Sequence, residues 1–383
     1  MIVAGERSGD VYGAALAQAL RARVGNNEVF GCGGEAMRAA GVETVVDIHH
    51  VALIGISEVV SGLPKAYRAM QTLIREAARR KPALAVLIDS PSLNLRLAKR
   101  LKQLNIPVIY FVSPQIWAWK KWRIKKIKAY VDKMLCLFDF ETEIYERAGV
   151  PVEYVGHPLV DMVGPRRTRE EFFHQAGLDP GIPTVALLPG SRRTEVTLNL
   201  PTMLKAAARL ALSRPIQFVL AAAPTIDSEW LESVAARCYS GRAPVRTLSN
   251  ATHEALQYAD AAVVASGTAT IEATLRECPM IVVYRVSAFT AMCARVMIRV
   301  PFYSMVNLLA GNAAVPELIQ SDFNTDNLAS RLHSLLDDGE AREKMVEDLR
   351  RVKLRLGQGG AIERAADAIA RQVKEPKASL YRQ

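Results

Sequence analysis

Short runs of β-branched residues alternate with segments of helical periodicity along almost the whole chain. The helical pattern is clearest at Val11–Val24 and Leu93–Leu104. We predict strands at Ile2–Ala4, Val29–Gly31, Ala85–Ile88, Val108–Val112, Met134–Leu137, Val152–Val155, Val185–Leu188, Gln217–Leu220, Val245–Thr247, Ala262–Val264 and Met280–Val283. This alternation predicts parallel sheets that are covered by helices on both faces.

A connector rich in proline and glycine separates the two halves of the chain. With 383 residues, the chain is longer than one ordinary hydrophobic core requires. Residues 156–183 form the connector, with one short helix predicted at Arg169–Ala176. We therefore predict an α/β protein of two doubly wound, Rossmann-like domains that face a cleft, at residues 1–157 and 158–356. Ligands of such sheets bind at the carboxyl ends of the strands.

Charge and hydropathy narrow the class of partner. The formal net charge of +10 predicts affinity for an anion, which could be a phosphorylated ligand, a membrane surface or nucleic acid. The most apolar stretch, residues 281–305, is interrupted by arginines, so we expect no membrane-spanning helix. We also expect no signal peptide, because no apolar stretch follows a basic start. The five cysteines are scattered without a C-x-x-C motif, which favours reduced thiols in a cytosolic protein.

In the first half of the chain, two loops that follow predicted strands contain carboxylate residues. The glycines of Gly5–Asp10 permit a tight bend and let a ligand approach a helix N-terminus, but their spacing is not a dinucleotide-binding fingerprint. Asp89 ends the third predicted strand, where desolvation raises the pKa of its carboxyl group and suits it to accept a proton from an alcohol. Structural interpretations remain open: Ser8 could cap an ordinary turn, and Asp89 could cap the helix that starts near Ser92.

An aromatic loop and a basic helix follow the next predicted strand. The loop Ser113–Trp119 contains two tryptophans and a proline, which predicts either the rigid wall of a site or packing between strand and helix. Beyond it, Ile124, Ile127 and Val131 form the apolar stripe of an amphipathic helix. Its basic residues are Lys120, Lys121, Arg123, Lys125, Lys126, Lys128 and Lys133. Such a helix can lie on an anionic membrane, hold a phosphate or simply be solvated, and the lack of a recognised motif disfavours nucleic acid.

The segment Leu53–Leu63 is apolar and is interrupted by two glycines. If it is helical, its larger apolar side chains share one face: Ile56, Val59, Val60 and Leu63. That face is either part of the core, which is the usual case, or an exposed surface that contacts lipid.

The second half contains two junctions that suit a nucleoside diphosphate. In Leu188–Glu195, backbone N–H groups at a helix start and the Arg192 guanidinium match a pyrophosphate. In Ala265–Glu272, small residues admit a phosphate, and Glu272 could accept hydrogen bonds from ribose hydroxyls. Since no D-x-D and no metal-ligand spacing of histidines occurs, we expect no metal. His157, at the domain junction, fits a structural role and a functional role equally well.

Together these motifs resemble those of the lipid A disaccharide synthases. The matching elements follow one another over essentially the whole chain: Gly5–Asp10, Ile88–Pro91, Ser113–Trp119, Gly156–Pro158, Leu188–Arg192, Ser266–Glu272 and Asn307–Gly311. The most specific are Ser113–Trp119 and Asn307–Gly311. The chain departs from the family pattern at Arg7, at Ser92 and at the two residues before Asn307, without losing a group that the resemblance implies in catalysis.

The resemblance implies a GT-B fold and an inverting glycosyl transfer that needs no cofactor. A UDP-2,3-diacylglucosamine donor and a 2,3-diacylglucosamine 1-phosphate acceptor would form the β-1,6-linked disaccharide 1-phosphate and release UDP. Asp89 is implied as the general base, with Glu6 and Ser8 beside it in the catalytic site. The implied UDP-binding residues are Ser191, Arg192, Glu195, Ser266, Gly267, Thr268, Glu272 and Asn307. The implied acceptor or membrane contacts are Ile56, Val59, Val60, Leu63, Gln115, Trp117, Lys121 and Arg123.

The resemblance further implies a cytoplasmic protein that associates peripherally with the anionic inner face of the cytoplasmic membrane. Family members form dimers that exchange C-terminal segments, and residues 357–383 are the corresponding segment, which either packs back on the first domain or is exchanged. Met1 lies inside the first predicted strand, so we expect the natural start to lie upstream. A UDP-sugar epimerase or another GT-B UDP-sugar transferase is the alternative enzyme, and a basic membrane or nucleotide-sugar sensor is the non-enzymatic one.

Overall fold

The computed structural model describes residues 1–25, 28–51, 55–117, 121–286 and 301–374, and for residues 55–63 it describes the backbone alone. The chain divides into two compact units. The first unit comprises Met1–Asp161 together with the chain from Leu356 onward, and the second unit comprises Met162–Arg355.

The first unit is built on a parallel sheet of seven strands in the order β3-β2-β1-β4-β5-β6-β7. The strands are β1 Ile2–Ala4, β2 Phe30–Gly33, β3 Glu43–Asp47, β4 Ala85–Ile88, β5 Val108–Phe111, β6 Lys133–Cys136 and β7 Val152–Tyr154. The central strands β1, β2, β4 and β5 are buried along their whole length, which explains why they are almost continuously apolar. The order of the strands reverses between β1 and β4, and the crevice at such a switch point is where doubly wound sheets bind ligands.

Helices connect the parallel strands of the first unit. They are α1 Arg7–Val24, α2 Glu35–Ala39, α3 Gly55–Arg80, α4 Pro91–Gln103, α5 Arg123–Tyr130, α6 Phe140–Arg147 and the short α7 Leu159–Met162, where the chain leaves the unit. The predicted apolar stripe of the basic helix is confirmed in part, because Ile127 and Val131 are buried beneath α5.

The second unit repeats this plan with a parallel sheet of six strands in the order β10-β9-β8-β11-β12-β13. Its strands are β8 Thr184–Leu188, β9 Gln217–Ala222, β10 Val245–Ser249, β11 Ala261–Ala265, β12 Met280–Tyr284 and β13 Glu317–Ile319. The switch point lies between β8 and β11, where Leu188 pairs with Val264.

The helices of the second unit flank this sheet. They are α8 Arg169–Ala176, α9 Arg193–Leu210, α10 Ser228–Cys238, α11 Thr252–Tyr258, α12 Thr268–Leu275, α13 Met305–Ala310, α14 Thr325–Asp337 and α15 Gly339–Arg355. The helix predicted within the connector is confirmed as α8, and a capping box formed by Thr168 and Glu171 explains where it begins.

A last helix, α16 at Ala361–Lys374, belongs to the first unit and packs on α1. Arg23 of α1 forms ion pairs with Glu363 and Asp367, both at 2.5 Å. At the other end of the helix, Arg371 pairs with Glu153 of β7 at 2.8 Å. The C-terminal segment therefore completes the first unit within this one chain.

Candidate functional site

The loops after β1 and β4 meet at the switch point of the first unit. Ala4 pairs with Ile88 at the ends of the two strands, so the residues that follow them are neighbours. The approach is close enough to require a glycine, because a Cβ atom on Gly5 would lie 2.3 Å from the Cβ of Ser90. The structure thus brings Glu6 and Asp89, which are far apart in sequence, to one edge of the sheet.

Asp89 occupies a strained and desolvated position. Its φ of 48° and that of Ser90, 46°, lie in the left-handed region that residues other than glycine seldom adopt. Burial, and to a smaller extent the nearby Glu6 carboxylate, raise the pKa of the Asp89 carboxyl group to about 6. Among the described residues no lysine or arginine pairs with it. Asp89 is therefore ionised at neutral pH and more basic than an ordinary aspartate.

The structural alternatives for Ser8 and Asp89 are wrong. Helix α4 has Ser90, and not Asp89, as its N-cap, and it has no side-chain cap hydrogen bond. Helix α1 has Glu6 as its N-cap, so Ser8 lies inside the helix instead of capping it. The carboxylate that has a structural role here is Asp10, which accepts hydrogen bonds from the backbone N–H groups of residues 34, 36 and 37 at the start of α2.

The aromatic loop after β5 rests on a buried carboxyl group. Trp117 donates its indole N–H to Glu141 at 3.3 Å, and the Phe138 backbone N–H donates to the same carboxylate at 3.3 Å. Glu141 is 2% exposed, and burial raises the pKa of its carboxyl group to about 7. Ser113 bonds to the Tyr145 hydroxyl at 2.8 Å, which fixes the start of the loop. Both alternatives for this loop hold in part, since Trp117 packs against Phe140 while Gln115 is exposed.

The basic helix α5 divides its cations between surface and interior. Lys121 is exposed, together with Trp122, which is 55% exposed, and the other lysines of the helix. Arg123 is instead buried, with a guanidinium nitrogen 3.4 Å from the Ser92 hydroxyl. Burial lowers the pKa of Arg123. The side chains of Ile56, Val59, Val60 and Leu63, and the residues 118–120, lie outside the described part of the chain.

In the second unit, the loop after β8 is closed by an acidic side chain. Glu195 accepts a hydrogen bond from the Ser191 backbone N–H at 2.9 Å and an ion-paired one from Arg192 at 3.1 Å. Gly190 adopts a φ of 127°, and a Cβ there would lie 2.6 Å from the Cβ of Glu195. Arg192 remains 45% exposed. The loop therefore carries a partly exposed cation that forms an ion pair with a half-buried carboxylate of α9.

The loop after β11 is open, and it leads into helix α12, which carries the partly buried Glu272. Gly267 has a φ of 156° and would meet nothing within 4 Å if it carried a Cβ, while Thr268 behind it is exposed at the start of α12. Ser266 donates its hydroxyl to the Tyr303 carbonyl at 3.3 Å. Burial raises the pKa of Glu272 to about 7, and among the described residues no hydrogen bond engages its carboxyl group.

Asn307 and His157 both have structural partners. The Asn307 amide donates to the Val315 carbonyl and to Glu317, and accepts from the Val315 N–H, all within 2.9 Å. His157 is buried, and its Nδ1 accepts a hydrogen bond from the Leu159 N–H at 3.2 Å. Burial lowers the pKa of His157 to about 4, so the ring is neutral with its proton on Nε2.

The described ranges contain neither a candidate membrane span nor a candidate metal site. None of the helices there is long and apolar enough to cross a membrane. No group of three or more His, Cys, Asp or Glu side chains in those ranges lies close enough together to hold a metal ion.

The fold places the chain among the GT-B proteins, which include UDP-sugar epimerases and glycosyltransferases. A putative UDP-N-acetylglucosamine 2-epimerase from Listeria monocytogenes superposes with a TM-score of 0.65 at 15% identity, covering 98% of this chain and 96% of that one. A spinosyn forosaminyltransferase superposes with a TM-score of 0.60 at 14% identity, covering 98% of each chain.

Sequence similarity then defines the family. The model of the lipid-A-disaccharide synthetase family matches residues 1–373. The lipid-A-disaccharide synthase of Myxococcus xanthus is 44% identical over 376 residues, which is 96% of each protein. The chain belongs to the lipid-A-disaccharide synthetase family, and its activity is lipid-A-disaccharide synthesis by glycosyl transfer. The predictions of the family, of the GT-B fold and of a glycosyltransferase are confirmed.

Proposed function

We propose that Asp89 is the general base of an inverting transfer from UDP-2,3-diacylglucosamine to 2,3-diacylglucosamine 1-phosphate. The observation that carries the proposal is the position of Asp89: a desolvated carboxylate at the switch point of the first unit, with a pKa of about 6 and with no lysine or arginine paired to it among the described residues. A base with a pKa near the working pH combines a high ionised fraction with useful basicity. Glu6 and Ser8, at the N-terminus of the neighbouring helix α1, orient the acceptor.

The proposed step transfers one proton and one glycosyl group. The Asp89 carboxylate accepts the proton of the acceptor 6-hydroxyl as that oxygen attacks the anomeric carbon of the donor. The bond from the anomeric carbon to the diphosphate oxygen breaks on the opposite face, so the new linkage is β and UDP leaves with the electron pair.

The second unit supplies charge for the departing UDP. We assign the diphosphate to Arg192, Ser191 and the N-termini of α9 and α12, at Ser266, Gly267 and Thr268. Helix N-termini and guanidinium groups stabilise phosphate oxygens without a metal. Arg192 exchanges its bond to Glu195 for the diphosphate, since an exposed ion pair of this kind contributes only about 1 kcal/mol or less.

Two further groups of this unit complete the proposed UDP site. Glu272, whose carboxyl group has no hydrogen-bond partner in the described ranges, accepts hydrogen bonds from the ribose hydroxyls. Asn307 acts by holding its own turn in place, because its amide is already engaged with Val315 and Glu317.

We also propose peripheral binding to the inner face of the cytoplasmic membrane through the first unit. The support is two exposed aromatic side chains of this unit, each with exposed basic residues close to it in sequence. Tyr67 of α3 is 59% exposed and Trp122 is 55% exposed, and exposed lysines surround Trp122. Such a surface suits the interface of an anionic bilayer. It would bring Gln115, Trp117, Lys121 and Arg123 towards an acylated acceptor, and Ile56, Val59, Val60 and Leu63 continue the same helix α3. A homodimer that exchanges α16 would preserve the contacts of Arg23 between two chains.

The decisive experiment compares Asp89→Asn with Asp227→Asn in the purified protein. Both changes remove one charge, but Asp227 only caps α10 in the second unit, a role that asparagine fulfils equally well. Acceptor-dependent UDP release should fall by roughly 10²- to 10⁴-fold in Asp89→Asn and stay unchanged in Asp227→Asn. UDP affinity should stay unchanged in both variants. A rate for Asp89→Asn within a few-fold of the parent would refute the assignment of the base.

A further inference from the structure

The ends of β4 and β5 hold an unusual concentration of backbone strain. Asp89 and Ser90 follow β4 with φ values of 48° and 46°, and Val112 follows β5 with a φ of 70°. None of the three is a glycine, and valine is β-branched, which makes this conformation a true outlier. Each such residue costs on the order of 1–3 kcal/mol and persists only when its surroundings impose it.

Two fully buried side chains impose this conformation on Asp89. Asn94 of α4 donates its amide N–H groups to the carbonyl oxygens of Ile88, at 3.0 Å, and of Asp89, at 2.8 Å. Tyr110 of β5 donates its hydroxyl to the same Asp89 carbonyl at 2.5 Å. Both are 0% exposed. The Asp89 N–H is also bonded, to the Phe111 carbonyl at 3.0 Å. Both backbone groups of Asp89 are therefore fixed before any ligand binds.

Asn94 carries a cost that packing alone does not explain. Its side-chain oxygen is buried, and within the described ranges no donor reaches it. A buried polar atom without a partner costs about 1–3 kcal/mol. An apolar side chain would avoid this cost, so the physical advantage of asparagine here is the pair of hydrogen bonds that it donates to residues 88 and 89.

We propose that Asn94 and Tyr110 are positioning residues for the transfer, because they bind the Asp89 carbonyl and thereby set the direction in which the Asp89 side chain leaves the backbone. The inference rests on the proposed function of Asp89 as the base. Misplacing a reacting group by about 1 Å can cost around 10²-fold in rate, so two bonds to the backbone of the base are sufficient to matter.

The first test is Tyr110→Phe, which removes a single oxygen atom. The matched control is Tyr258→Phe in the second unit, where the hydroxyl likewise donates to a backbone carbonyl, that of Arg167, at 2.6 Å. Both variants should lose a similar amount of thermal stability. Only Tyr110→Phe should show a kcat about 10- to 100-fold lower, with the KM for the donor unchanged. Equal kcat values for Tyr110→Phe, Tyr258→Phe and the parent would overturn the proposal.

A pH profile separates positioning from general destabilisation. If the bonds to its carbonyl are lost, the Asp89 loop loosens and water reaches the carboxyl group, so its pKa should fall from about 6. The acid limb of kcat/KM should therefore move to lower pH in Tyr110→Phe and in Asn94→Ala, and stay in place in Tyr258→Phe. If Asn94→Ala does not fold, Tyr110→Phe decides the question alone.

A double variant distinguishes a failure of the base assignment for Asp89 from a failure of the positioning role of Tyr110. In an Asp89→Asn background, Tyr110→Phe should cause no further loss of rate, because its effect passes through the Asp89 carboxylate. A full additional loss would overturn the positioning role. If Asp89→Asn itself keeps the parental rate, the proposed function fails and the inference fails with it. If Asp89→Asn is inactive and Tyr110→Phe is fully active, only the inference fails.

Discussion

The end of β4 in the first unit and the end of β8 in the second unit use the same device for different chemistry. Each strand end is held by a buried asparagine from the following helix: Asn94 binds the carbonyl groups of residues 88 and 89, and Asn199 binds that of Pro189 at 2.9 Å. In both cases the amide oxygen is buried and finds no donor among the described residues. The device recurs although β4 and β8 occupy different places in their sheets.

The two strand ends differ in the sign of the charged group that they carry and in its exposure to solvent. After β8, Gly190 adopts the positive φ at little cost, and Arg192 pairs with Glu195 in contact with solvent. After β4, Asp89 adopts it with strain, and burial raises the pKa of a carboxyl group that pairs with no cation in the described part of the chain. An exposed arginine is suited to bind an anion reversibly, whereas a desolvated carboxylate is suited to accept a proton. This difference supports the proposal that the first unit supplies the base and the second unit holds UDP.

The strongest challenge to this division is Arg192→Ala. Because a guanidinium that binds phosphate oxygens contributes a few kcal/mol, UDP affinity should fall by about 10²-fold, and the rate should fall with it. Isothermal titration with UDP measures the affinity. Arg209→Ala is the matched control, since Arg209 pairs with Asp326 on the surface of the same unit. Unchanged UDP binding in Arg192→Ala would contradict the assignment of the diphosphate.

The pH dependence of the rate tests the first unit. The raised pKa of Asp89 means that the active carboxylate is present above about pH 6 and is lost as the pH falls through that value. At pH 5, kcat/KM should be about tenfold below its plateau. The profile is measured from pH 4.5 to 8 with UDP affinity followed in parallel. An acid limb near pH 4, the ordinary range of aspartate, would contradict the raised pKa.

Replacing the buried asparagine of each unit with alanine compares the two strand ends directly. Asn94→Ala should lower kcat and leave UDP affinity intact. Asn199→Ala frees the Pro189 carbonyl and loosens the loop that carries Arg192, so it should weaken UDP binding by about 3- to 10-fold, or 0.7–1.4 kcal/mol, and leave kcat at saturating donor unchanged. Steady-state kinetics and titration with UDP give both values for both variants. Identical effects of the two substitutions would remove the distinction between the units.

The smallest expected effect is that of Glu195→Gln. Glutamine can still accept the bond from the Ser191 N–H but no longer competes with a diphosphate for Arg192. UDP affinity should rise by less than about fivefold, because an exposed ion pair contributes at most about 1 kcal/mol. Glu347→Gln, which breaks the exposed pair with Arg351, controls for the loss of charge. Weaker UDP binding in Glu195→Gln would show that Glu195 serves the site in another way.

The pattern of apolar runs was sufficient for most of the two sheets. All eleven predicted strands are present, with ends that differ by one or two residues. The strands missed are β3 and β13, which lie at the edges of their sheets. Edge strands need fewer apolar residues because one side is not covered by a neighbour: β3 is partly exposed, and β13 is only three residues long.

The candidate site was predictable only in part. Asp89 follows β4 directly and Arg192 lies in the loop after β8, so the rule that ligands bind at carboxyl strand ends identifies both residues. Asn94, Tyr110 and Glu141 have no such signature. An asparagine inside a helix and a tyrosine inside an apolar strand look like ordinary residues until the neighbouring strand end is placed beside them. Arg123 likewise reads as one more surface cation, yet it is buried.

By itself the sequence determined the α/β class, the division into two halves, the positions of the loops that follow strands, and, through its motifs, the family. These properties depend on local periodicity and on residues that are close in the chain. The tertiary structure decided which loops meet, that Asp89 is strained and desolvated, and that Asn94 and Tyr110 bind its carbonyl. Burial, pKa and strain depend on the atoms that surround a group, and most of those atoms come from parts of the chain that are distant in sequence.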